Sequence, residues 1–152
     1  MKAIVQRINY GSVIADGEFS GEVKKGLLVL LGVHQSDTKA EAEVLAKKVA
    51  NLRIFCDEND KMNLSVLDIE GGILTVSNFT LCADTQKGNR PSYIEAMAPD
   101  TANMLYEYFM SCLADNGVKE LAHGQFGADM KITTELDGPV TIILDTDTWR
   151  KK

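Results

Sequence analysis

Eight apolar residues in a row, Gly26-Leu27-Leu28-Val29-Leu30-Leu31-Gly32-Val33, stand between Lys24-Lys25 and His34-Gln35. Such a run is far short of the ~20 residues of a membrane span, and it lacks the polar alternation of a strand with one wet face. It predicts a central strand buried on both sides, so the rest of the chain must supply a cover for each face. Gly71-Gly72 opens a second strand, expected over residues 73–81. Between them, residues 38–53 predict a helix: Thr38-Lys39-Ala40-Glu41 matches a capping box, and Ala42, Leu45, Ala46, Val49 and Leu52 fall on one face. A second helix is expected over about 100–115, with Ala102, Leu105, Phe109, Cys112 and Leu113 inward and Asn116-Gly117 as its stop. Strands are expected at 2–8 and 13–23, with Asp16-Gly17 as a type I′ hairpin turn, and at 118–122, 130–136 and 139–144. The last two are expected to be joined by a turn at Asp137-Gly138-Pro139. The order of elements is α+β with mixed β-sheets rather than regularly alternating α/β, and 152 residues suit one domain.

The formal charge of −6 excludes a broad basic face that coats nucleic acid. Basic residues gather locally, at Lys24-Lys25, Lys47-Lys48, Lys87 with Arg90, and Arg150 to Lys152, where a solvated surface is the ordinary explanation. Cys56, Cys82 and Cys112 are odd in number and form no CxxC, so neither a disulfide framework nor a zinc ribbon is expected. The opening MKAIVQRINY has no apolar secretion core, and a cytoplasmic protein without membrane contact is expected. There is no GxSxG elbow, P-loop, GxGxxG or HExxH. Only His34 and His123 could serve as imidazole bases, each near an expected strand end. Ser77-Asn78-Phe79-Thr80-Leu81 sets polar groups inside an apolar strand, where period two puts Ser77 and Phe79 on one face and Asn78 and Thr80 on the other. A strand whose polar face meets solvent would look the same, as would plain loops at Gly88–Ser92, Gly124–Ala128 and Gly138-Pro139.

In combination these blocks resemble the D-aminoacyl-tRNA deacylase family nearly end to end. Lys2–Arg7, Gly26–Val33 with Asp37-Thr38, Leu52–Phe55 and Lys61–Asn63 are similar to its pattern. So are Ser77–Leu81 (its SQFTL), Ala83–Thr85 with Lys87–Ser92 (ADTxKGNRPS), Phe126–Ala128 with Met130 (FGAxM) and Asp137–Thr141 (NDGPVT). The resemblance implies a barrel-like core of mixed sheets flanked by two main helices. It also implies a homodimer that hydrolyses the ester of D-aminoacyl-tRNA, and of mischarged glycyl-tRNA, at the 3′ CCA end without metal or cofactor. Catalytic positions would be Ser77, Asn78, Phe79 and Thr80, with the backbone N–H groups of Phe79 and Thr80 facing the ester carbonyl and the terminal 2′-hydroxyl of the RNA assisting. Gly138 and Pro139, joined by a cis peptide bond, would enter the partner subunit's pocket and reject L-amino acids. Phe126 would contact the terminal adenine, and Arg7 and Met130 would lock the Gly-Pro segment. Two positions depart from the pattern: Asn78 replaces the family's glutamine, and Leu136 replaces the asparagine before Asp137, which predicts a turn braced by packing. A non-catalytic nucleic-acid-binding adaptor on the same fold is the alternative, and a serine or cysteine esterase a more distant one.

Overall fold

A computed structural model describes residues 1–150; of the basic cluster at 150–152, Lys151 and Lys152 lie outside the described residues. The chain runs β1 (Lys2–Ala15), β2 (Glu18–Val23), β3 (Gly26–Gly32), α1 (Lys39–Asn51), β4 (Phe55–Cys56), β5 (Met62–Leu64), β6 (Gly72–Ser77), a 3-10 turn (Phe79–Cys82), α2 (Pro99–Asp115), β7 (Glu120–His123), β8 (Met130–Asp145) and a 3-10 turn (Thr146–Trp149). The main sheet has the order β2-β1-β3-β6-β7, with β8 on the other edge of β1. The β3–β6 and β6–β7 pairs are parallel and the rest antiparallel. Its ends curl together where the Ser20 hydroxyl donates to the His123 carbonyl at 2.8 Å, so the sheet is a nearly closed barrel.

The apolar run on β3 is covered on both faces. Leu27, Val29 and Leu31 join Ala42, Leu45 and Val49 of α1 and Phe109 and Leu113 of α2 in the larger core. Leu28 points into the barrel with Ile8, Val13, Val23, Leu74 and Val76. Each fully buried Leu or Ile contributes roughly 1.5–3 kcal/mol against exposure, so the two cores fix the register of β3 from both sides. Helix α1 starts as its capping box predicts: Thr38 Oγ1 accepts from the Ala40 N–H at 3.2 Å, and the Glu41 carboxylate accepts from the Thr38 N–H at 2.7 Å. Just before it, the buried Asp37 carboxylate receives the Met1 ammonium at 2.6 Å and the His34 N–H at 2.7 Å, tying β1 to the end of β3.

Two expectations are corrected. The strand expected to reach Leu81 stops at Ser77, because its ladder with β3 ends: Leu31 is the last residue of β3 paired with it, and the Leu31 carbonyl accepts from the Asn78 N–H at 2.8 Å. The chain then turns over Gly32, where a Cβ would lie 2.8 Å from the Leu81 Cβ, so only glycine lets the turn sit so close. Phe79 and Thr80 therefore do not follow strand alternation. The two strands expected at 130–136 and 139–144 are one, β8, running antiparallel to β1. Ile8 pairs with Leu136 and Gln6 with Thr141, so Asp137–Val140 bulge outward opposite the single residue Arg7. The short β4–β5 hairpin was not expected. Its polar turn is held by the Asp57 carboxylate, which accepts from the Asn59 N–H at 2.8 Å and the Asn63 amide at 2.7 Å.

Candidate functional site

Where β6 leaves the sheet, it borders a cavity of about 550 Å³ whose walls come from five parts of the chain. Ser77, Asn78 and Phe79 form one wall, Leu31 and Val33 another, and Phe126 with Met130 a third. The start of α2 (Pro99, Ala102, Tyr106) and the segment before it (Tyr93, Met97) close the rest. The lining is mostly apolar, as suits a flat aromatic or aliphatic guest. Phe126 leans on Tyr106 with ring centroids 6.0 Å apart, and the buried Tyr106 hydroxyl donates to the Thr75 carbonyl at 2.9 Å. Burial pushes the Tyr106 phenol well above its ordinary range, so it remains a neutral donor that fixes the floor. At the mouth, Phe79 (59% exposed) meets Tyr93 edge to face, with centroids 5.1 Å apart.

The polar equipment is concentrated in the turn after Ser77. The Asn78 and Leu81 N–H groups are spent on the Leu31 and Asn78 carbonyls. The intervening N–H groups of Phe79 and Thr80 have no acceptor among the described residues. The Thr80 hydroxyl donates to the Asn78 side-chain oxygen, which leaves the Asn78 amide nitrogen without a described partner. Among the described residues, no histidine or carboxylate hydrogen-bonds to the hydroxyl of Ser77 or Thr80. His123 is bound through Nδ1 to the Gly124 carbonyl at 2.7 Å, and neither it nor His34 hydrogen-bonds to either hydroxyl among the described residues. Nearby Cys82 is buried, and that burial, with Asp37 adding to it, raises its thiol above the ordinary value, the wrong direction for a nucleophile.

Of the residues singled out by sequence, Ser77, Asn78, Phe79, Phe126 and Met130 line this one cavity, and Thr80 adjoins it, exposed. Gly138 and Pro139 lie elsewhere, on the bulge of β8, with Arg7 facing them from β1. The Gly138-Pro139 peptide is cis, and both residues are exposed. Gly138 has φ +133°, and a Cβ there would fall 2.6 Å from the Val140 nitrogen. The Arg7 guanidinium fills the space behind the bulge: its Nε donates to the Asp137 carbonyl at 3.2 Å and faces the Asp137 carboxylate at 3.1 Å, while another nitrogen donates to the Ile54 carbonyl at 2.8 Å. The expectation that Leu136 braces this turn by packing is corrected: Leu136 is 46% exposed, and Arg7 supplies the brace. Met130 sits beside Ala15 and Gly124 at the cavity and not beside Gly138 of its own chain. Sequence reasoning missed Tyr93, Met97, Pro99 and Tyr106, whose approach to Ser77–Phe79 depends on how α2 crosses the sheet.

Residues 4–145 match the sequence model of a family described as D-Tyr-tRNA(Tyr) deacylase. A D-aminoacyl-tRNA deacylase of Thermosipho melanesiensis is 51% identical over 96% of this chain and 97% of its own length. One of Flavobacterium johnsoniae is 48% identical over the same shares. Among solved structures, one described as c-Myc DNA Unwinding Element Binding Protein superimposes with a TM-score of 0.90 at 40% identity, covering 95% of this chain and 98% of its own. Another, described as a probable eukaryotic D-amino acid tRNA deacylase, shares the fold with a TM-score of 0.81 at 17% identity, covering 94% and 97%.

Proposed function

Because the chain belongs to the D-Tyr-tRNA(Tyr) deacylase family, we propose that it is an enzyme that hydrolyses the ester of D-aminoacyl-tRNA, releasing free tRNA and the D-amino acid. The observation that carries this reading is 51% identity to a D-aminoacyl-tRNA deacylase over nearly the whole of both chains. The apolar cavity takes the terminal adenosine, with Phe126 against the base and Met130 beside it, and the scissile ester lies at the mouth over Ser77–Thr80. The free N–H groups of Phe79 and Thr80 stabilise the oxyanion as the carbonyl becomes tetrahedral. With no base hydrogen-bonded to either hydroxyl among the described residues, the 2′-hydroxyl of the terminal ribose assists the attack, and the protein contributes orientation and electrostatics.

Among the described residues of one chain, Gly138-Pro139 does not reach the cavity, which supports a homodimer in which each bulge enters the partner's site. The edge of β8 fits that role. Ile132 and Leu136 face the same way as their buried β1 partners Val13 and Ile8, yet are 39% and 46% exposed because no described strand covers them. The paired carbonyl oxygens of Gly138 and Pro139 then exclude an L side chain sterically and admit D-amino acids and glycine, so glycyl-tRNA is also a substrate. A cytoplasmic location accords with a tRNA substrate, and no helix among the described residues is long and apolar enough to cross a membrane.

Matched D- and L-aminoacyl-tRNA, each with a normal or a 2′-deoxy terminal adenosine, test the reading by the rate of ester loss. Cleavage confined to the D substrate and slowed by at least ~10² on 2′-deoxy substitution is the expected result; rapid cleavage of the 2′-deoxy ester would reject RNA assistance. The adaptor reading has one observation behind it, the DNA-binding description of the 40% identical structure. Tight binding of nucleic acid without turnover of any D-aminoacyl ester would favour it.

A further inference from the structure

Between the 3-10 turn and Tyr93, the chain makes an exposed loop whose two stems are both walls of the cavity mouth. Its base is closed by a reciprocal backbone pair, Asp84 N–H to the Ser92 carbonyl at 2.8 Å and Ser92 N–H to the Asp84 carbonyl at 2.9 Å. Phe79, five residues before this base, and Tyr93, just after it, meet edge to face. The Asp84 carboxylate is engaged inward by the Gln86 N–H at 2.9 Å. Beyond it the loop presents two cations, Lys87 and Arg90, both exposed. Their side chains make neither an ion pair nor a hydrogen bond among the described residues, which is also true of Lys24, Lys25, Lys47, Lys61 and Lys119, but of all these only Lys87 and Arg90 stand on the loop whose stems wall the cavity. A chain of net charge −6 repels a polyanion at long range, so two exposed cations on the loop that springs from the cavity mouth create a local attraction beside the site.

From this placement we propose that Lys87 and Arg90 form a phosphate clamp for the single-stranded acceptor end of the RNA, engaging the phosphodiesters just before the terminal adenosine. The clamp rests on the deacylase reading for its substrate. It assigns the loop a task separate from the chemistry: the acidic body keeps the folded part of the tRNA off the surface, and the loop draws its end into the cavity. Arg90 can grip two phosphate oxygens in a fork, and Lys87 acts as a point charge.

The test compares wild type with Lys87→Ala/Arg90→Ala on two esters of the same D-amino acid, one on full tRNA and one on adenosine alone, which has no phosphate. The ratio of kcat/KM on tRNA to kcat/KM on the adenosine ester should fall ~10-fold or more at low salt, through KM. The plot of log affinity against log salt for a CCA-ended RNA should become shallower by about 1.4, two single-strand phosphate contacts at ~0.7 each. Lys87→Arg/Arg90→Lys should restore most of both effects. Equal losses on the two esters would mean that the loop only supports the wall and would overturn the clamp, as would an unchanged salt slope. If the wild-type protein cleaves neither ester, the deacylase reading fails, and the RNA-binding measurement still decides the clamp by itself.

Discussion

Asn78 and Thr80 are where the proposed reliance of the site on backbone rather than side chains can be tested. The Thr80 hydroxyl already gives its proton to the Asn78 side chain, while the Thr80 N–H beside it is free. Thr80→Ala keeps that N–H, so the rate on D-aminoacyl-tRNA should fall less than ~10-fold, against the ~10²–10³ typical of a lost oxyanion donor. Asn78→Gln, which restores the longer side chain, should also change the rate by less than about tenfold, or ~1.4 kcal/mol; single-turnover kinetics of both variants check this pair. Arg7 is the opposite case, a side chain on which a backbone shape depends. Arg7→Ala leaves the Asp137 and Ile54 carbonyls without their donor and should cost about 1–3 kcal/mol in a denaturation midpoint. As the bulge loosens, the preference for D over L substrate should drop at least ~10-fold, and undiminished discrimination would separate Arg7 from stereochemical control.

Among elements, α1 carries its own start signal, and its consequence can be read through pH. The Thr38 hydroxyl, foremost among several donors, holds the Glu41 carboxyl below its ordinary value of 4.5, with the Arg150 guanidinium assisting. A carboxyl depressed in the folded state contributes stability that is complete above its unfolded pKa and is lost as pH falls through the folded one. Glu41→Gln should therefore be less stable than wild type near neutrality by no more than about 1 kcal/mol. That gap should close as pH drops below 4.5, a convergence visible in urea midpoints taken across the acid range. Periodicity and capping made α1, α2, β3 and the Asp16-Gly17 hairpin legible because each is dictated by residues close in sequence. Two features escaped it. The strand end at Ser77 is set by where β3 runs out, and the continuity of β8 is set by β1, which offers a ladder on both sides of the bulge. The blocks around Ser77–Leu81 and Phe126 pointed in the sequence to residues that line the cavity, but Asp137–Thr141 lies apart from it within one chain, and Tyr93 and Tyr106 reach it only through tertiary packing.

For the whole molecule, the separation of the cavity from the Gly-Pro bulge predicts that light scattering will find particles of twice the 16.7 kDa chain mass. Ile132→Glu, on the uncovered face of β8, should shift that population to single chains and reduce deacylation at least ~10-fold, while circular dichroism stays native; full activity from a folded single chain would refute a shared site. The pairing of β1 with β8 also sets the order in which these parts become available. The two strands are separated by residues 16–129, so on the ribosome, at ~5–20 residues per second, β1 waits several seconds for its neighbour. During that interval β2, β3, β6 and β7 can assemble on β1, but the Met130 part of the cavity wall, the Gly138-Pro139 bulge and the exposed edge of β8 do not yet exist. On the proposed reading, a nascent chain gains its association edge and its discrimination of D from L only once β8 is in place.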